Sequence, residues 1–140
     1  MSLFQDYHTA LLGLLVIITT ILVQMMVAAI SKAKQPAAIP GKMDPNLSHS
    51  SFVFRANRTF ANSVENAPAM LGAAFLAILV GAGPFWAAIW VWTYAISRLI
   101  HMGLYYAIST EKNPSPRSHF FLLALIANIA LIIQAGLSFI

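Results

Sequence analysis

Residues 7–30 read YHTALLGLLVIITTILVQMMVAAI, and the fold is decided there. The run holds no Asp, Glu, Lys or Arg, and Thr19, Thr20 and Gln24 are its notable polar residues. A helix needs about 20 mostly apolar residues to cross the hydrocarbon core of a bilayer. This run is long enough, so it predicts a membrane-spanning helix. No Lys or Arg precedes it, and no small-residue cleavage site follows. It therefore reads as a retained helix and not a removed signal.

The pattern repeats outward. Residues 31–51 are polar and carry Pro36, Pro40, Gly41 and Pro45, which predicts a loop. A second helix is expected over 52–80, polar first and apolar later, with Pro68 expected to kink it. Gly81, Ala82, Gly83 and Pro84 predict a tight turn. A third helix is expected over 85–109, a short loop with Pro114 and Pro116 after it, and a fourth helix over 117–139. The expectation is one all-α domain over 1–140, a four-helix transmembrane bundle.

Composition excludes the soluble alternative. Only 9% of the chain is charged and 59% is hydrophobic, whereas soluble domains are about a quarter charged. Four helices cannot each present a charged face from that supply. With no cysteine, disulfides, thiolate zinc sites and a cysteine nucleophile are excluded.

The sequence pI of about 9.8 raises the question of a nucleic-acid surface. The positions of the basic residues argue otherwise. They are Lys32, Lys34, Lys42, Arg55, Arg58, Arg98, Lys112 and Arg117. All but Arg98 cluster around the first and third loops. The positive-inside rule then predicts that both loops are cytoplasmic and both termini outside. No nucleic-acid partner is expected. Trp86, Trp90 and Trp92 open the third span and read as an aromatic belt at the outer interface.

Ionisable groups at membrane depth are costly and usually functional. Arg55, Arg58, Asn62 and Glu65 stand at i, i+3, i+7 and i+10 of the second helix, one face of it. Arg98, His101 and Tyr105 stand at i, i+3 and i+7 of the third. At 1.5 Å per residue, Glu65 lies roughly 20 Å and Arg98 roughly 16 Å from the cytoplasmic end. Similar depth predicts that Glu65 and Arg98 pair, since either alone would be an uncompensated charge. The stripes together predict a polar cavity open to the cytoplasm, rich in donors and suited to an anion. His101 and His119 lack a partner at ligand spacing, so no metal is expected. His8 and His49 read as interface or loop residues. Arg117 and Ser118 open the fourth helix. An arginine there is either a snorkelling membrane-edge cation or a guanidinium beside a substrate thiol, where it would raise the thiolate fraction.

Four spans with Arg55-x-x-Arg58-x-x-x-Asn62-x-x-Glu65 on the second resemble the MAPEG family, the membrane-associated proteins of eicosanoid and glutathione metabolism. Arg98-x-x-His101-x-x-x-Tyr105 is similar to its third-helix signature, and Pro116-Arg117-Ser118 to its fourth-helix opening. The resemblance implies a homotrimer that binds glutathione between subunits near the cytoplasmic face, as a co-substrate. Arg55, Arg58, Asn62, Glu65, Arg98, His101 and Tyr105 would bind it. Arg117 would stabilise its thiolate, with Ser118 an alternative or auxiliary donor. A hydrophobic co-substrate would arrive from the lipid. The implied activity is a detoxifying glutathione transferase, with possible peroxidase action on lipid hydroperoxides. The implied alternative is a non-catalytic lipid-binding scaffold of the same fold. A bacterial inner membrane is the expected location. Relatives of the prostaglandin E synthase type carry an arginine just before the second-helix asparagine. Here Ala61 stands there, which removes one carboxylate contact unless Lys32 or Lys34 supplies it.

Overall fold

A computed structural model describes residues 2–140. Four helices run in chain order: α1 (Leu3–Ala33), α2 (Phe52–Leu79), α3 (Pro84–Ala107) and α4 (Pro116–Leu137). α1 begins earlier than the apolar run alone implied. Ser2 caps it: Ser2 Oγ accepts from the Gln5 amide and Gln5 Oε1 accepts from the Ser2 amide, a reciprocal box that satisfies two orphan donors. α2 continues through Pro68, whose ring is exposed.

The α2–α3 turn has a definite mechanism. The Ala82 amide donates to Ala77 O at 2.9 Å and the Gly81 amide to Ile78 O at 3.3 Å. This is a Schellman close, and it places Gly81 at φ +69°, where a side chain would be strained. Pro84 then starts α3 at a position that needs no amide hydrogen.

α2 and α3 pack against each other and against both outer helices, while α1 and α4 do not touch. The cross-section is a diamond with α2 and α3 on the short diagonal. Small residues allow the close approach: Ala10, Ala73, Ala74, Ala77, Ala95, Ala124 and Ala127 are all buried. Gly13 is the tightest point. A Cβ there would meet Val91 Cγ1 at 2.7 Å and Trp92 Nε1 at 3.3 Å. Val91 is stiff at χ1, and Trp92 Nε1 donates to Thr9 O at 2.9 Å, so neither yields freely. Gly13→Leu is expected to destabilise the bundle by about 2 kcal/mol, read as a lower unfolding midpoint in detergent.

The polarity is inverted relative to a soluble bundle. Leu15, Leu22, Met26, Ile126, Ile129 and Ile133 are exposed, whereas Gln24, Thr59, Ser63, Ser97, Arg98 and His101 are buried. α1 and α4 are long and apolar enough to cross a membrane. α2 falls short because its first half is polar, and α3 because Trp, Tyr, Arg98 and His101 dilute it. At 28 and 24 residues both match the bundle in length.

Candidate functional site

The end of the bundle opposite the α2–α3 turn holds the polar chemistry. The α3 stripe points inward as its spacing requires: Arg98, His101 and Tyr105 are all buried. The α2 stripe does not lie on the packed face. That face is Ala56, Thr59, Ser63, Ala67 and Met70. Arg55, Arg58 and Asn62 flank it half-buried, and Glu65 is exposed.

The expected Glu65–Arg98 pair does not form. Arg98 Nη2 donates to Asn62 Oδ1 at 2.7 Å and to Ser63 Oγ at 2.9 Å. Glu65 instead lies 3.8 Å from Arg58 Nη1, with over half of its side chain exposed. Depth along the axis was the right quantity but an incomplete one. Two residues beyond Ser63, about 200° of helical rotation carries Glu65 off the α3-facing side. Arg98 is therefore a buried cation held by two neutral acceptors. A small cavity lined by Thr20, Ala67 and Tyr94 lies beside it, and its Nε and Nη1 are buried with no partner among the described residues.

Nearer the loops, Arg117 and Tyr105 meet. The Arg117 guanidinium carbon stands 4.0 Å from the Tyr105 ring centroid, a cation–π contact. Its Nη2 donates to Thr110 O at 3.1 Å, and its buried Nη1 has no partner among the described residues. The His101 ring lies 5.5 Å from that of Tyr105, and its buried Nδ1 is also unpartnered. The unspent guanidinium donor of Arg117 is what an anion needs.

Two of the expected site residues spend their polar atoms elsewhere. Arg55 Nη1 donates to His49 O at 2.7 Å and Ser50 O at 3.0 Å, and Nη2 to Tyr106 O at 3.3 Å. It ties the first loop to the end of α3. Ser118 Oγ accepts from the Ser115 amide at 3.1 Å and lies 3.2 Å from Ser115 Oγ. With the Ser118 amide bonded to Ser115 O, this closes the start of α4.

His49 lies in the first loop, as expected, but its contacts were not foreseen. Its Nε2 lies 3.0 Å from the Tyr105 hydroxyl, and its Nδ1 lies 2.9 Å from Glu111 Oε1. The same carboxylate oxygen accepts from the His49 amide at 3.2 Å. These partners are 56 and 62 residues away in the chain, and only the fold joins them.

The hydrogen bonds from the His49 ring and then its amide hold the Glu111 carboxyl below the usual carboxylate range. A carboxyl with a lowered folded pKa stabilises the fold above its unfolded pKa, and that contribution is lost as pH falls through the folded value. The contact between the two loops is thus expected to loosen in acid. Because the chain has no cysteine, a spin label at Lys112→Cys reports that loop alone. Its mobile fraction should rise as pH falls below the ordinary carboxylate range, and in Glu111→Gln it should already be high at neutral pH.

Four helices, an apolar exterior and a cluster of buried polar side chains at one end define a helical membrane bundle. A scan against family models matches the MAPEG family over residues 9–137, nearly the whole chain, and the protein belongs to that family. Searches of curated proteins and of solved structures return no match.

Proposed function

We propose that the protein is a membrane-bound glutathione transferase whose four helices all span the bilayer. Glutathione is its co-substrate and an apolar electrophile or lipid hydroperoxide its second substrate. The observation that carries the reading is Arg117: a guanidinium stacked on Tyr105, beside His101, with a buried donor unspent. A cation there lowers the pKa of a thiol, and the N-terminus of α4 adds its dipole in the same sense. Tyr105 and His101 line the same place, and Arg98 with Asn62 extends the polar wall along α2 and α3. Arg55 shapes this end by holding the loops, and Ser118 by capping α4. Both support the ligand indirectly. The acceptor dissolves in lipid and reaches the thiolate laterally, so the chain needs no covalent intermediate.

The same reading includes a homotrimer. Arg58, Asn62, Glu65 and Asn66 form an outward polar strip on α2, half-buried to exposed in one chain. Facing lipid, such a strip is costly. A second copy covers it and turns Arg58 and Glu65 toward an interface where glutathione carboxylates bind. The positive charge of the loops supports a cytoplasmic location for this end, and a bacterial inner membrane suits the chain.

The test is an ultraviolet difference spectrum of the detergent-solubilised protein with glutathione at neutral pH. A thiolate band that saturates with glutathione is expected. Glutathione binding without the band would favour the scaffold alternative, and no binding at millimolar glutathione would refute both the cofactor and the enzyme.

A further inference from the structure

We propose that His49, clamped by Glu111, is a positioning residue that sets whether the Tyr105 hydroxyl donates or accepts toward the site. The effect on ligand rests on the reading above, but the device itself is a property of the chain.

The hydrogen-bond inventory fixes the logic. An ionised carboxylate only accepts. With Glu111 Oε1 at 2.9 Å, His49 Nδ1 must carry a hydrogen. If the ring is neutral, Nε2 is then a lone pair, and at 3.0 Å it can only accept from the Tyr105 hydroxyl. The phenolic proton is committed to His49, and Tyr105 offers the site only oxygen lone pairs. If the ring is protonated, Nε2 donates to the phenol oxygen. The phenolic proton is then free to turn to an anion beside Arg117. One proton on His49 reverses the polarity of Tyr105.

The imidazole is well placed for this role. Its side chain is 19% exposed, so it exchanges protons with water yet keeps its geometry. Its backbone is held from both sides: the amide by Glu111, the carbonyl by Arg55 Nη1 at 2.7 Å and Ser109 Oγ at 2.9 Å. Phe54 packs edge-on against the ring. The charged and titratable groups around the pair are Glu111 from the third loop, Arg55 from α2, Arg117 from α4 and His101 from α3. The one carboxylate among them touches His49 directly, and the one guanidinium on the Tyr105 ring comes from α4.

Tyr105 reports the device without any ligand. The chain has four tyrosines, so ring-carbon-labelled tyrosine with Tyr105→Phe as the assignment control isolates its resonance. The hydroxyl-bearing carbon of Tyr105 is expected to shift in a single step when the His49 ring gains its second proton on acidification. In His49→Gln the resonance should be flat with pH. A Tyr105 resonance that ignores pH in the unmutated protein, or titrates equally in His49→Gln, overturns the proposal.

Glutathione sulfonate, whose sulfur group stays anionic throughout, reads the consequence. It should bind about threefold to tenfold tighter below the transition than above it, and the difference should vanish in His49→Gln and in Tyr105→Phe. If the sulfonate never binds while Tyr105 titrates as expected, the proposed function falls and the device stands. If the sulfonate binds with the same pH dependence in His49→Gln, the device falls and the function stands.

Discussion

Arg117→Ala is expected to lower kcat/KM at pH 7 by about thirtyfold for glutathione addition to an apolar electrophile. A free thiol with a pKa of about 8.5 is only about 3% ionised at pH 7, whereas one lowered to about 6 is mostly thiolate. The lost factor is that ratio, so it must shrink as pH rises. The variant should approach the unmutated rate near pH 9, because both thiols are then ionised. This pH signature separates thiolate stabilisation from simple loss of binding, which would persist at every pH. Arg117→Lys keeps the charge but not the planar face that lies on Tyr105, so it should retain an intermediate rate. A pH–rate profile of Arg117→Ala parallel to that of the unmutated protein would remove Arg117 from the chemistry.

Asn62→Leu should be the most destabilising single change in the bundle, at about 3 kcal/mol. It removes the 2.7 Å acceptor of a guanidinium that is 4% exposed, leaving Ser63 Oγ as its sole acceptor among the described residues. A buried charge that loses its partner costs about 3–5 kcal/mol. The discriminating experiment is the pair Asn62→Leu with Arg98→Met. Without the charge the leucine is harmless, so the double variant should recover most of the lost unfolding midpoint. If the double variant is no more stable than Asn62→Leu alone, the cost lies in packing around Asn62 and not in the Arg98 charge.

Several of these features can be read from the chain. Long apolar runs separated by Pro and Gly give four helices, because a bilayer-length apolar segment has few other structures open to it. The i, i+3, i+7 spacing of Arg98, His101 and Tyr105 identifies the inward face of α3, and all three are buried. On α2 the same spacing misleads. Polar residues mark the face there too, but the packed side is given by Ala56, Thr59, Ser63 and Ala67, whose small side chains carry little signal. The Glu65–Arg98 expectation failed for that reason: rise per residue gives depth, and only packing gives rotation. Ser118 shows a related limit. A hydroxyl at the start of a helix suits a catalytic role and a capping role equally well, and only the fold shows that the Ser118 hydroxyl bonds Ser115. His49 and Glu111 lie in loops, where no periodicity exists to relate them to Tyr105. Their contact depends on where two connections end, which is set by the whole bundle.

The end of the bundle at the α2–α3 turn is fastened by side chains. The Tyr7 hydroxyl donates to Ala82 O, and Gln134 Nε2 donates to Gly83 O at 2.9 Å. The first and last helices are thus both tied to the backbone of one turn, though they never touch each other. Mechanically the bundle resembles a pair of tongs with its pivot at that turn. A small rotation about such a pivot is amplified along the helices and is largest at the opposite end, where Arg117, Tyr105 and the loop clamp stand. On the proposed reading, the end that would admit glutathione is therefore the end with the most freedom to open.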